Sequence, residues 1–261
     1  MWLKEGMFMN MDLEKAKQEF LKYTEKYDLT NDKIKLKQVH SLRVMEISEK
    51  IAKKLELSYE EIELAKLIGL LHDIARFEQY TKYHTFKDIE SVDHGDLGVE
   101  ILKNDIRKYI KTDQYDNIIF KAIKNHNKYT IEPELSDEEK TFSKIIRDAD
   151  KIDIFYEAVV KFWKGKEEQV EKSIISEKTV KEFEQNIPIK TRKDETEIDN
   201  IIKMIGFIFD INFKASFEIL HEEDYINKIF NRYNFKDEYT RKKVEEIRKV
   251  ANEYINKQIR K

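Results

Sequence analysis

Apolar residues recur along most of this chain at intervals of three and four, the period of a helix with one buried face. Residues 12–27 carry Leu13, Phe20 and Tyr23 or Tyr27 on one side and predict a first helix. Leu29-Thr30-Asn31-Asp32 is a break rich in N-cap residues. A helix over about 32–56 follows, with the stripe Leu36, His40, Val44, Ile47, Ile51 and Leu55, so His40 faces inward among aliphatics. Ser58-Tyr59-Glu60-Glu61 has the form of a capping box and opens a helix that closes on His72-Asp73, with Ala65, Ile68 or Gly69, and His72 on one face. Residues 74–92 show no clear period, carry Arg76, Phe77, Tyr80, Tyr83, His84 and Phe86, and read as irregular. A loop of that length inside a compact domain is often functional, which makes it the expected place for substrate selection.

The periodicity resumes at His94, which opens a helix with Leu97, Gly98, Ile101 and Leu102 on its face. Gly98 is expected to admit a neighbouring backbone. A helix over about 113–127 presents Ile119, Ala122, Ile123 and His126, and a polar loop with Pro133 follows. Ser136-Asp137-Glu138-Glu139 is a second capping box. The helix it starts carries Phe142, Ile145, Ile146, Ala149, Asp150 and Ile152, and its pattern runs through Phe155, Val159 and Trp163 to Gly165. A helical stretch over 167–186 ends at Ile187-Pro188-Ile189. The segment 195–220 is apolar nearly all round and predicts one buried helix, and 222–260 reads as amphipathic and charged. With no repeat, low-complexity tract or linker, the fold class is all-α: a core over 32–155, an N-terminal helix within 1–31 packed on it, and a C-terminal helical extension over 156–261 belonging to one compact domain.

Composition narrows this picture. Two Pro and six Gly in 261 residues leave few turn punctuators for an all-β fold. Charged residues at 39% against 40% apolar imply helices with heavily solvated outer faces. A net charge of −3 supplies no global drive toward nucleic acid or membrane. Cysteine is absent, so any metal must be held by N and O ligands. No apolar run reaches the roughly 18 residues a membrane span needs, and the start is too short and polar for a signal peptide, so the expected address is cytoplasmic. Lys164-Gly165-Lys166 lacks the glycine spacing of a phosphate-binding loop. His221 lies far from the other histidines and reads as structural; His84, within the 74–92 stretch, reads as a surface residue, with contact to substrate from that loop as the alternative.

A single inward histidine is ordinarily a satisfied core residue. Here His40, His72-Asp73, His94, His126 and Asp150 lie on five segments, each on an inward helix face or at a helix end. Imidazole and carboxylate together suit borderline and hard divalent metals. The order His…His-Asp…Asp resembles the HD-domain superfamily. Leu70-Leu71-His72-Asp73-Ile74-Ala75-Arg76 is close to that family's string around its His-Asp pair, with Ala75 where many members have Gly. Asp148-Ala149-Asp150-Lys151-Ile152-Asp153 looks like the segment around its last aspartate, and His94-Gly95 and His126 match the two extra histidines of its two-metal subgroup. The resemblance covers about 32–155, under half of the chain.

The resemblance implies an HD-type helical bundle with one divalent metal on His40, His72, Asp73 and Asp150, and a second on His94 and His126 with Asp73 bridging. A carboxylate can bridge two cations and a neutral imidazole cannot. Two metals about 3.5–4 Å apart trap a bridging hydroxide that attacks phosphorus. The metals would be iron, manganese or another transition metal. Arg76 is the first candidate to hold the phosphate and Lys151 the second; Asn127 and Asp153 are candidate partners of the ligands. The implied activity is hydrolysis of a small phosphomonoester or phosphodiester, nucleotides first among them. Relatives with the same six ligands include mixed-valent di-iron oxygenases, and a nucleotide sensor that kept its pocket is a third reading. The oligomeric state is not legible.

Overall fold

The computed structural model describes residues 11–261; the expectations for residues 1–10 lie outside them. Among the described residues the protein is all-α, without a strand. It divides into two compact units, the first ending at Asp150 and the second running Lys151–Lys261. The N-terminal helix lies within the first unit.

In the first unit α1 (Leu13–Thr24) buries Leu13, Ala16, Phe20 and Tyr23. α2 (Asp32–Lys54) is capped by Asn31, whose side chain accepts from the Lys33 amide, and α3 (Tyr59–Leu71) by the expected Ser58/Glu61 box. α2 and α3 form the main helix pair. They touch at Gly69, where a Cβ would stand 2.9 Å from both the Met45 Cα and the Val44 carbonyl oxygen. The buried face of α2 includes His40, Val44, Ile47 and Ile51 as expected, and also Gln38, Ser41 and Ser48, while Leu36 and Leu55 are only half-buried.

The stretch 74–92 departs from the expected loop. It contains α4 (Ala75–Tyr83) and a 3₁₀ turn over Asp88–Glu90. Phe77, Tyr80 and Tyr83 recur every three residues, a helical interval that their aromatic character hid, and Phe77 is fully buried against Phe20 and Tyr23. α4 ends at His84, exposed and left-handed at φ 55°. α5 (His94–Asp105) packs on α6 (Asp116–Asn125). The close backbone approach occurs at Gly95, not Gly98: a Cβ on Gly95 would meet the Lys124 and Ile123 carbonyls at 3.0 and 3.1 Å, whereas Gly98 faces side chains. α7 (Asp137–Val160) starts at the expected Ser136/Glu139 box, in which each backbone amide donates to the other residue's side chain.

In the second unit the helices are shorter than the periodicity suggested. The stretch 167–186 holds α8 (Glu167–Lys172) and α9 (Glu177–Glu184), split where Ser176 caps the second. The segment 195–220 is not one helix: α10 (Glu197–Ile205) passes at Gly206 into a 3₁₀ turn over Gly206–Asp210, and α11 (Lys214–Glu222) follows. The apolar residues on all sides reflect this break, since each piece buries its own face. The terminal stretch is α12 (Tyr225–Phe230) and α13 (Glu238–Ile259), the latter burying Thr240, Val244, Ile247, Ala251 and Ile255. No helix of the described residues is long and apolar enough to cross a membrane.

Candidate metal centre

Three of the candidate ligands sit at helix ends, and the reason is local. His72 caps the C-terminus of α3 and His126 that of α6. The last carbonyls of a helix have no partner within it. His72 Nδ1 bonds the Gly69 carbonyl at 2.8 Å and His126 Nδ1 bonds the Ile123 carbonyl at 2.6 Å, both three residues back. Arg147 donates to the Asn125 and Lys128 carbonyls and pins the chain around His126. His94 opens α5, and its Nδ1 bonds Asp88 Oδ2 at 2.7 Å. A carbonyl or an ionised carboxylate only accepts, so Nδ1 carries the proton in each ring; the tautomers follow from the partners.

The Nε2 atoms all point to one place. His40, on α2, has Nε2 3.2 Å from His72 Nε2 and 3.1 Å from Asp150 Oδ1. His94 Nε2 lies 2.9 Å from His126 Nε2. Asp73 stands between the two groups. Its Oδ2 is 3.5 Å from His40 Nε2 and 3.6 Å from His72 Nε2, and its Oδ1 is 3.5 Å from His94 Nε2 and 3.6 Å from His126 Nε2. All six expected ligands are thus brought together, with one oxygen of Asp73 turned to each imidazole pair.

Burial lowers the His72 pKa to about 3, and burial likewise takes His94 down to about 4, so both are neutral at pH 7. Burial alone would raise Asp73; Lys37, His72 and Arg76 outweigh it and hold the carboxyl well below the ordinary range. Asp150 is lowered in the same way, burial being overridden chiefly by the hydrogen bond from His40. The donor set fits a divalent metal on its own geometry. With Nδ1 protonated, His94 and His126 turn two bare lone pairs toward each other at 2.9 Å, an arrangement that repels unless a cation lies beside it. The groups His40–His72–Asp150 and His72–Asp73–His126 each offer three ligand atoms within 4.8 Å of one another.

Residues 38–154 match the family model of the HD domain. This segment is an HD domain. The match spans under half of the chain and contains all six candidate ligands, and an HD domain points in general to a superfamily of metal-dependent hydrolases. No curated protein and no solved structure matches the chain.

The HD pair is flanked by cations. Lys37 Nζ donates to Asp73 Oδ2 at 2.7 Å. Arg76 has Nε 3.4 Å from Asp73 Oδ1, without a hydrogen-bond partner of its own, while its Nη1 is held by Gln79, the Phe86 carbonyl and Asp88. Lys151, next to Asp150 in the chain, pairs with Asp210 at 2.8 Å within the second unit. Asn127 donates to Asp88 and Asp93, and its amide nitrogen lies 3.2 Å from His94 Nδ1. Asp153 is fully buried in the second unit.

Sequence reasoning passed over Lys37, Gln79 and Asp88. Lys37 precedes His40 by three residues and so shares its helix face, a signal that was available. Asp88 precedes His94 by six residues across an irregular turn, and no spacing rule points to it. A cavity of about 730 Å³ lined by Lys15, Glu49, Lys53, Tyr59 and Lys66 includes none of the metal-centre residues.

Proposed function

We propose that this protein is a metal-dependent phosphohydrolase that cleaves a phosphomonoester or phosphodiester, a small nucleotide being the substrate class the site suits best. The observation that carries the reading is Asp73: one carboxylate shared between two imidazole pairs and flanked by two cations. His40, His72, Asp73 and Asp150 would hold one metal; Asp73, His94 and His126 would hold a second. Bound there, divalent metals acidify water to near neutral pH and offset charge on a phosphate under attack.

The chain's own residues do the rest. Burial keeps His72 and His94 neutral, with Nδ1 protonated and the Nε2 lone pair available. Gly69, Ile123 and Asp88 fix the ring orientations. Arg76, held rigidly by Gln79, Phe86 and Asp88, presents Nε toward the centre to take a phosphate oxygen, and Lys37 offers an ammonium from the other side. Lys151 is a further candidate for this role by its place beside Asp150.

The test is elemental analysis of the purified protein together with hydrolysis of an aryl phosphate and a nucleotide panel. About two metals per chain with phosphate release supports the reading. Two irons with a mixed-valent resonance signal and no phosphate release overturns it in favour of an oxygenase. Nucleotide binding without turnover under any metal overturns it in favour of a sensor.

A further inference from the structure

We propose that α1, which precedes the HD domain in the chain, is a brace of the metal centre, with Tyr23 and Thr24 as positioning residues: Tyr23 for the joint that carries Asp73, Thr24 for the turn of α2 that carries His40. The inference rests on the metal-binding part of the proposed function and draws nothing from its phosphate chemistry.

The HD match starts at residue 38, and α1 ends at Thr24. The last turn of α1 nevertheless reaches two of the ligand-bearing segments. Tyr23 is buried, and its hydroxyl donates to the Ile74 carbonyl at 3.3 Å. Ile74 follows Asp73 and stands at the joint where α3 has ended and α4 begins without a side-chain cap. The backbone bonds of that joint are local, from Ile74 N to the Leu71 carbonyl and from Arg76 N to the Asp73 carbonyl. The Tyr23 bond comes from 51 residues away and ties the joint to another helix. The Tyr23 ring stands edge-on to Phe77 of α4, with centres 6.1 Å apart. Tyr27 donates to the Tyr23 hydroxyl at 2.9 Å, which leaves the Tyr23 proton for Ile74.

Thr24 makes the second tie. Its hydroxyl donates to the Leu21 carbonyl at 2.8 Å and accepts from Gln38 Nε2 at 2.6 Å. Gln38 lies two residues before His40 on α2 and is buried, as is Thr24. A buried amide has to be satisfied; Lys35 supplies the donor to its oxygen and Thr24 the acceptor for its nitrogen. Ligand atoms hold a metal well only when their places are fixed to within about 0.5 Å. The Asp73 oxygens stand 3.5–3.6 Å from four Nε2 atoms, so a small shift of the joint is felt on both sides of the carboxylate. A shift of the α2 turn reaches the centre through one ligand, His40.

The experiment is competition for Zn²⁺ between the full chain and a chromogenic chelator, read as two stepwise affinities, with His126→Ala marking the one that belongs to the His94–His126 half. Tyr23→Phe keeps the ring and removes the hydroxyl; it should weaken both metals about three- to tenfold, the range of one neutral hydrogen bond. Thr24→Val should weaken the metal of His40 by a similar factor and leave the other within about twofold. Phe20→Leu is the control. Phe20 packs on Phe77 from the same helix, so its variant should lower the Tm and leave both affinities within about twofold. Wild-type affinities in Tyr23→Phe and Thr24→Val, or equal weakening of both metals in all three variants, would overturn the brace and leave α1 a packing element. A wild type that binds no Zn²⁺ would overturn the metal centre itself, and the brace with it.

Discussion

Replacing Asp88 with Asn tests the metal centre through a residue that touches no metal position. Asp88 receives four donors: His94 Nδ1 at 2.7 Å and Asn127 Nδ2 at 3.0 Å on Oδ2, Gln79 Nε2 at 2.9 Å and Arg76 Nη1 at 3.2 Å on Oδ1. An amide can present only one oxygen. Arg76 is a permanent cation and cannot accept, so the amide oxygen of the variant turns to Arg76 and Gln79 and its NH₂ faces His94. His94 then has to accept at Nδ1, which moves its proton to Nε2 and removes the lone pair on the ligand atom. Loss of such an orienting partner costs about 10–100-fold in metal affinity, or about 1.4–2.7 kcal/mol. The loss should be confined to the site of His94 and His126. The site of His40, His72 and Asp150 draws nothing from Asp88. Competition of the protein with a chromogenic chelator, followed by elemental analysis, should show one metal retained near wild-type affinity and one weakened by that factor. Two metals bound as in the wild type, or both weakened alike, would refute the tautomer argument and the division into two sites.

Asp73→Ala should remove both metals and hydrolysis together, since each imidazole pair loses its shared carboxylate; unchanged metal stoichiometry in the variant would show that Asp73 does not bridge. Gly69→Ala puts a Cβ 2.7 Å from Ser48 Oγ and 2.9 Å from two α2 backbone atoms, which should cost about 1–3 kcal/mol and lower the calorimetric Tm by several degrees; an unaltered Tm would refute the close helix contact. In metal-stripped protein, His72 and His94 titrate near 3 and 4 when folded and near 6.5 when unfolded. The unfolded chain thus binds more protons below about pH 6.5, and stability should fall with acidity by up to about 1.4 kcal/mol per pH unit for each ring until its folded pKa is reached. A urea midpoint that holds steady from pH 7 to pH 5 after chelation would contradict the buried neutral imidazoles.

Much of the site was legible because its ligands are spaced by helix geometry. His40 lies in the apolar stripe of α2, and burial of Val44, Ile47 and Ile51 carries it inward. Both capping boxes place helix starts correctly, through bonds between residues three apart. The failures have physical reasons as well. α4 was hidden because its aromatic positions mimic a loop, and its stability comes from tertiary burial of Phe77 rather than from propensity. The segment over 195–220 was overextended because an all-round apolar pattern marks burial, not continuity, and Gly206 ends the helix. Lys37 shares the helix face of His40, three residues on, but one lysine among several on α2 is singled out only when the fold shows that it reaches Asp73.

The ligands differ in what holds them, and this bears on how the centre assembles. His72 and His126 are oriented by carbonyls three residues back in their own helices. That geometry exists as soon as the C-terminal turns of α3 and α6 form. His94 depends on Asp88, only six residues away. His40 and Asp150, by contrast, come from α2 and α7, and only packing brings their ligand atoms to 3.1 Å. The half of the centre built on His94 and His126 is therefore locally pre-organised, joined by the contact of α5 with α6 at Gly95. The other half is a tertiary product. A metal held by His40, His72 and Asp150 would couple to folding more strongly, because His40 and Asp150 are more than a hundred residues apart in the unfolded chain. Asp73, with one oxygen turned to each imidazole pair, would make each half report on the other.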